Sequence, residues 1–201
     1  MVVKHQRIGV FVDVQNMFYS AKYQYRSKLD FSKLLEHAVL GRDLVRAIAY
    51  LIQTPDIDQT NFITMLQGTG YEVRCKSLRV RADGTAKGDW DLGIALDTIT
   101  LAQKLDTIVL VTGDGDYVDL VNLLRSQGVR LEVLSFPYST AEELKAAASE
   151  FRPIGPSLLL NPSAIQVQQE EEGPPMAPQA PAARREAARL CDGTPGVIRE
   201  H

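Results

Sequence analysis

The residues best equipped for chemistry in this sequence are aspartates that come in close succession. Asp13 lies within Val10-Phe11-Val12-Asp13-Val14-Gln15-Asn16. Lys87-Gly88-Asp89-Trp90-Asp91 and Val111-Thr112-Gly113-Asp114-Gly115-Asp116 each carry a pair. Taken singly, Asp13 reads as the start of a turn, and each of the others as a helix cap. A cap needs one carboxylate, however, and crowded carboxylates repel. The pairs therefore point to a bound divalent cation that offsets the repulsion. An oxygen-only donor set without clustered His or Cys suits Mg²⁺ or Mn²⁺ rather than zinc. The glycines of the third segment let the backbone turn tightly and present both carboxylates. No P-loop and no Gly-x-Gly-x-x-Gly run accompanies them, which argues against nucleotide and dinucleotide sites.

These side chains need a scaffold that gathers segments far apart in sequence. Short apolar runs rich in β-branched residues occur at Ile8–Val14, Val45–Ile52, Thr107–Thr112 and Val129–Leu134. Apolar at nearly every position, they predict strands covered on both faces. Segments with helical spacing lie between them: from Phe31 to Val39, Asp58 to Leu66, Leu92 to Ala102, and from Val118 to a stop at Gly128. This alternation predicts an α/β fold, a three-layer sandwich with a central, mainly parallel sheet. Ligands bind at the carboxyl ends of such strands, so all three acidic segments are expected on one sheet edge.

Composition bounds the rest. The chain has 201 residues, 45% hydrophobic, with a net charge of −3. That supports one domain with a substantial core, expected over residues 1–160. From Asn161 to His201 the sequence turns to Pro, Ala, Gln and Glu, which predicts a disordered tail. Two isolated cysteines, Cys75 and Cys191, suggest no disulfide framework and fit a cytoplasmic setting. No apolar run approaches the roughly 20 residues that span a bilayer, and no signal peptide opens the chain.

The three acidic segments resemble the motifs of NYN domains, in the LabA-like branch of the PIN-like nuclease superfamily. Asp13-Val14-Gln15-Asn16 is similar to the opening Asp-x-x-Asn motif. The segments at Lys87–Asp91 and Val111–Tyr117 follow as the second and third motifs in order, so the resemblance covers roughly residues 7–152. It implies that Asp13, Asp91, Asp114 and Asp116 surround Mg²⁺ or Mn²⁺, with Asp89 as an extra acid and Asn16 as an auxiliary polar residue. It implies a metal-dependent endoribonuclease that hydrolyses RNA phosphodiester bonds. Its counterpart is a catalytically inert NYN module that binds RNA or a protein partner. A phosphatase of the aspartyl-phosphate type is disfavoured, because no acid stands two residues after Asp13. Dimers are common in related folds, so a homodimer is an expectation, as is docking of the tail on a protein partner.

A basic stretch completes the picture. Arg74, Lys76, Arg79, Arg81 and Lys87 precede the second acidic pair. Alternation puts Arg74 and Lys76 on one strand face, ahead of a turn at Ala82–Thr85. Such a strand protects a sheet edge, and beside an acidic site it also suits an RNA backbone. Tyr19, Tyr23 and Tyr25 follow the first motif, where packing on a helix surface is favoured over base stacking.

Overall fold

The apolar runs form the strands of a six-stranded, all-parallel sheet in the computed structural model, which describes residues 5–53, 57–77, 79–80, 86–87 and 89–160. The strands are β1 (Arg7–Asp13), β2 (Asp43–Gln53), β3 (Glu72–Ser77), β6 (Thr107–Val111), β7 (Arg130–Ser135) and β8 (Glu150–Pro153). Two short strands, β4 (Arg79–Val80) and β5 (Ala86–Lys87), form a separate antiparallel ladder in which Arg79 pairs with Lys87. The ladder agrees with a reversal after the basic stretch. The turn itself, with Arg81, and the tail from Asn161 lie outside the described residues.

Strand order across the sheet is β3-β2-β1-β6-β7-β8. The chain builds outward from β1 to one edge, then returns to β1's other side and builds outward again. β1 is hydrogen-bonded to β2 and to β6 and is buried from Ile8 to Val12. Alternation along the strands divides the core in two. Ile8, Val10 and Val12 pack with α1 (Val14–Tyr25), α2 (Phe31–Val39) and α3 (Thr60–Thr69) on one face. Phe11, Ile48, Tyr50 and Leu110 pack with α4 (Asp91–Ala102), α5 (Val118–Ser126) and α6 (Glu142–Ala147) on the other. This is the three-layer sandwich expected from the sequence.

β8 and α6 are additions. Glu-Phe-Arg-Pro is too polar and short to read as a covered strand. It fits because Arg152 is only 7% exposed and meets Glu132 of β7 at 3.0 Å. Glu132 also accepts from Arg42 at 2.8 and 2.9 Å. Arg42 and Arg152 both reach the carbonyl of Ala38 at the end of α2, and Arg152 reaches that of His37. Burial opposes the charge of Glu132, but the Arg42 hydrogen bonds and the Arg152 charge hold its carboxyl below the usual range. The network ties α2 to the β7–β8 edge at the amino end of the sheet, away from the acidic segments.

Candidate metal centre

The acidic segments meet where the sheet reverses its direction of construction. β1 and β6 are neighbours and parallel, so their carboxyl ends lie side by side. The chain leaves β1 into α1 on one face, and the elements after β6 pack on the other. A crevice opens between connections that diverge in this way, and open α/β sheets bind ligands there.

Asp13 ends β1 and caps α1, accepting the Asn16 amide at 3.0 Å. The Asn16 side chain turns across the crevice and accepts the Gly113 amide at 2.9 Å. It thereby locks the loop after β6 to the first turn of α1. In that loop, Asp114 accepts the Asp116 amide at 3.0 Å and caps a 3₁₀ turn over Gly115–Tyr117. The turn buries Tyr117, whose hydroxyl donates to Asp91 at 3.0 Å. Asp91 is the first residue of α4, so Tyr117 fixes the start of α4 to the β6 loop.

Gly113 has a steric role. A Cβ there would lie 2.6 Å from the Ser139 carbonyl and 3.0 Å from the Ser135 hydroxyl. The loop after β7 presses on Gly113, and the Ala141 amide donates to its carbonyl at 3.0 Å. The hydroxyls of Ser135 and Ser139 are buried here without a hydrogen-bond partner. Sequence reasoning missed both serines. They carry no motif, and only the adjacency of β6 and β7 brings them beneath the acidic loop.

Electrostatics show which carboxylates sense one another. Burial lifts the Asp13 carboxyl from its ordinary 3.8 to about 6, opposed by the amides of Asn16 and Gln15 and reinforced by the charges of Asp91 and Asp114. Asp91 is also raised, first by burial and then by Asp114, Asp89 and Asp116, while the Tyr117 hydroxyl pulls it back. Burial and the charges of Asp13, Asp91 and Asp114 drive the Tyr117 phenol far above its usual range, so it stays a proton donor. Asp13, Asp91 and Asp114 therefore share one electrostatic environment, with Asp89 and Asp116 exposed at its rim. Asp13 and Asp114 are caps as well as members of the cluster. Asp89 and Asp91 are not caps, since Trp90 holds the N-cap position of α4 and no side chain caps the helix.

The donor chemistry fits a hard cation: every clustered group is a carboxylate, and repulsion among them is what a cation relieves. Among the described residues, no three His, Cys, Asp or Glu side chains are gathered closely enough to hold an ion as they stand.

The basic residues divide. The Arg74 guanidinium is paired with Asp97 at 2.6 Å and with Glu72 at 3.2 Å. Asp97 also accepts the Tyr50 hydroxyl at 2.7 Å, so it joins α4 to β2 and β3. The Lys76 ammonium lies 4.0 Å from the Trp90 ring centre and donates to the Asp89 carbonyl at 3.2 Å. Lys76 therefore abuts the acidic rim. Trp90 is held beneath it by Tyr50, by its indole bond to the Leu51 carbonyl, and by Gly93, where a Cβ would come 2.5 Å from the indole. Arg79 and Lys87 are backbone register partners in the β4–β5 ladder, which precedes α4 in the chain.

Residues 7–158 match the NYN domain family. The chain belongs to that family. NYN domains are of the PIN-like nuclease type, and the resemblance read from the three motifs is thereby shown. The chain is 29% identical over 159 residues to the Low amplitude and bright protein LabA of Synechococcus elongatus, covering 75% of this chain and 85% of LabA. It is also similar to the crystal structure of a Vibrio parahaemolyticus protein of unknown function. That likeness has a TM-score of 0.73 and 37% identity, over 80% of this chain and 99% of the other. Among the described residues of this NYN protein, no helix is long and apolar enough to cross a membrane.

Proposed function

We propose that this NYN protein is a metal-dependent endoribonuclease. The observation that carries the reading is the meeting of Asp13, Asp91 and Asp114 at the switch between β1 and β6, where burial and mutual charge raise Asp13 and Asp91. Membership of a nuclease-type family supports it. Asp13, Asp91, Asp114 and Asp116 would hold Mg²⁺ or Mn²⁺, with Asp89 at the rim. When bound, such a cation lowers the pKa of its water and neutralises charge on a phosphate oxygen.

The chain's own residues position these parts. Asn16 holds the β6 loop against α1, and the Tyr117 hydroxyl orients Asp91. Lys76, Arg79, Arg81 and Lys87 supply positive charge for the RNA backbone. Arg74 serves by fixing Asp97 and the edge of the sheet.

A second reading is an inert NYN module that binds RNA or a protein partner. It is favoured by the lack, among the described residues, of three acids already gathered around one point. One experiment separates the two. Wild type and Asp114→Asn are titrated with Mn²⁺ in a calorimeter, then incubated with structured and single-stranded RNA in Mn²⁺ or EDTA. The nuclease reading expects metal binding and cleavage by the wild type alone. Wild-type protein that takes up no Mn²⁺ at millimolar concentration, or binds it without cutting any RNA, leaves the inert module.

A further inference from the structure

We propose that the exposed edge of α1 is a stacking platform for unpaired bases, so that the RNA engaged at the acidic crevice is single-stranded. The inference rests on the ribonuclease reading and names the form of its substrate.

α1 has two unlike faces. Val14, Met17, Ala21 and Tyr25 are buried, and Tyr25 packs on Phe136 at 5.0 Å, which makes it a core residue. On the opposite side Phe18 is 45% exposed, Tyr19 48% and Tyr23 67%. The rings of Tyr19 and Tyr23 lie nearly parallel, at 11° and 5.9 Å between centres, and Phe18 stands edge-on to Tyr19. The Lys22 ammonium sits 5.9 Å from the Phe18 ring centre and 5.8 Å from that of Tyr23.

Three observations select the occupant. The first is charge. Between Asp13 and Asp30 the chain carries Lys22, Arg26 and Lys28, all exposed, and no acid. In a chain of net charge −3, this is a local cationic strip that suits a polyanion. The second is direction. Asn16, Tyr19 and Tyr23 recur at i, i+3 and i+7, the spacing of one helix edge. Asn16 holds that edge against the Gly113 loop, so the tyrosines continue it away from the acidic crevice. At 1.5 Å per residue, Tyr19 and Tyr23 stand roughly 9 and 15 Å from Asp13 along the axis. The third is chemistry. Flat rings flanked by cations accept any base face, but only from a strand whose bases are not already stacked in a duplex. A strand lying along this edge would place its bases on the tyrosines and its backbone near Lys22 and Arg26, with one end at the carboxylates.

The test is fluorescence anisotropy on the full chain in EDTA, where metal-dependent cleavage is off. The probes are a labelled oligouridylate and the same label on an RNA duplex. Wild type is expected to prefer the single strand. Tyr19→Ala and Tyr23→Ala should each weaken its binding roughly 5- to 100-fold, while the Phe variants retain it. The alanine variants should keep the wild-type salt dependence, whereas Lys22→Gln should lower the log–log slope by about 0.7. The side chains are exposed, and matching thermal unfolding will confirm intact folds. Wild type that binds the single strand, with the alanine variants doing the same, overturns the platform alone. Equal affinity for duplex also overturns it. Wild type that binds neither RNA sinks the ribonuclease reading with it. If instead wild type self-associates in the ultracentrifuge and the alanine variants do not, with RNA affinity unchanged, the edge is a protein interface.

Discussion

Replacing Asp13 by Asn should stabilise the metal-free protein, and by an amount that depends on pH in a defined way. Asn can accept the Asn16 amide as Asp13 does, and it caps helices about as well. It also mimics the protonated carboxyl, so the variant keeps at every pH what the wild type has only when Asp13 is neutral. Burial, assisted by Asp91 and Asp114, moves that carboxyl from 3.8 to about 6 on folding. A raised acid contributes its stability below the unfolded value and loses it as pH rises through the folded one. The two proteins should therefore match near pH 4, diverge between about 4 and 6, and differ by a constant amount above about 7. A shift of roughly two units at 1.36 kcal/mol each amounts to about 3 kcal/mol. For a chain of this size that is roughly 6–12 °C in Tm. The assay is thermal unfolding of both proteins in EDTA from pH 4 to 8. Adding Mn²⁺ at pH 8 should reverse the ranking once the cation reaches about 1,000 times its Kd, where it stabilises only the protein that binds it, by about 4.1 kcal/mol. A variant less stable than wild type in EDTA at pH 8, or a gap that does not close toward pH 4, refutes the electrostatic account of this site.

Three further outcomes follow from the geometry. Gly113→Ala forces a methyl to within 2.6 Å of the Ser139 carbonyl, so it should cost about 1–3 kcal/mol in urea unfolding; wild-type stability would show that the two loops are free to part. Glu132→Gln leaves Arg42 and Arg152 buried without their counter-charge and should cost about 3–5 kcal/mol, read as a lower urea midpoint, while an unmoved midpoint would mean that the Ala38 and His37 carbonyls suffice. Arg79→Ala combined with Arg81→Ala should weaken RNA binding and lower its log–log salt slope by up to about 0.7 per lost phosphate contact, and an unchanged slope would confine the basic stretch to protecting the sheet edge.

Much of this protein was legible in one dimension. β-branched runs that are apolar at nearly every position fit strands covered on both faces, which is why β1, β2, β6 and β7 and the three layers could be read in advance. Helical spacing did the same for α2, α3, α4 and α5. The aspartates were visible because crowded like charges in three segments need a reason. What the sequence could not carry is adjacency. Asp13 and Asp114 come together because β6 returns to lie beside β1, a pairing set by the crossover and not by any local signal. The same return puts Ser135 and Ser139 under Gly113 and makes Tyr117 the bridge to Asp91. The roles of the basic and aromatic residues were likewise decided in three dimensions. Arg74 and Lys76 share a strand face, yet one is neutralised by Asp97 and the other lies on Trp90 at the acidic rim. Tyr25 and Tyr23 are two residues apart, but about 200° of helical turn buries the first and leaves the second in solvent. Periodicity tells a chain which of its residues can be covered. Only the packed structure determines what covers them, because burial and charge pairing depend on distance in space, and the topology of the sheet sets that distance.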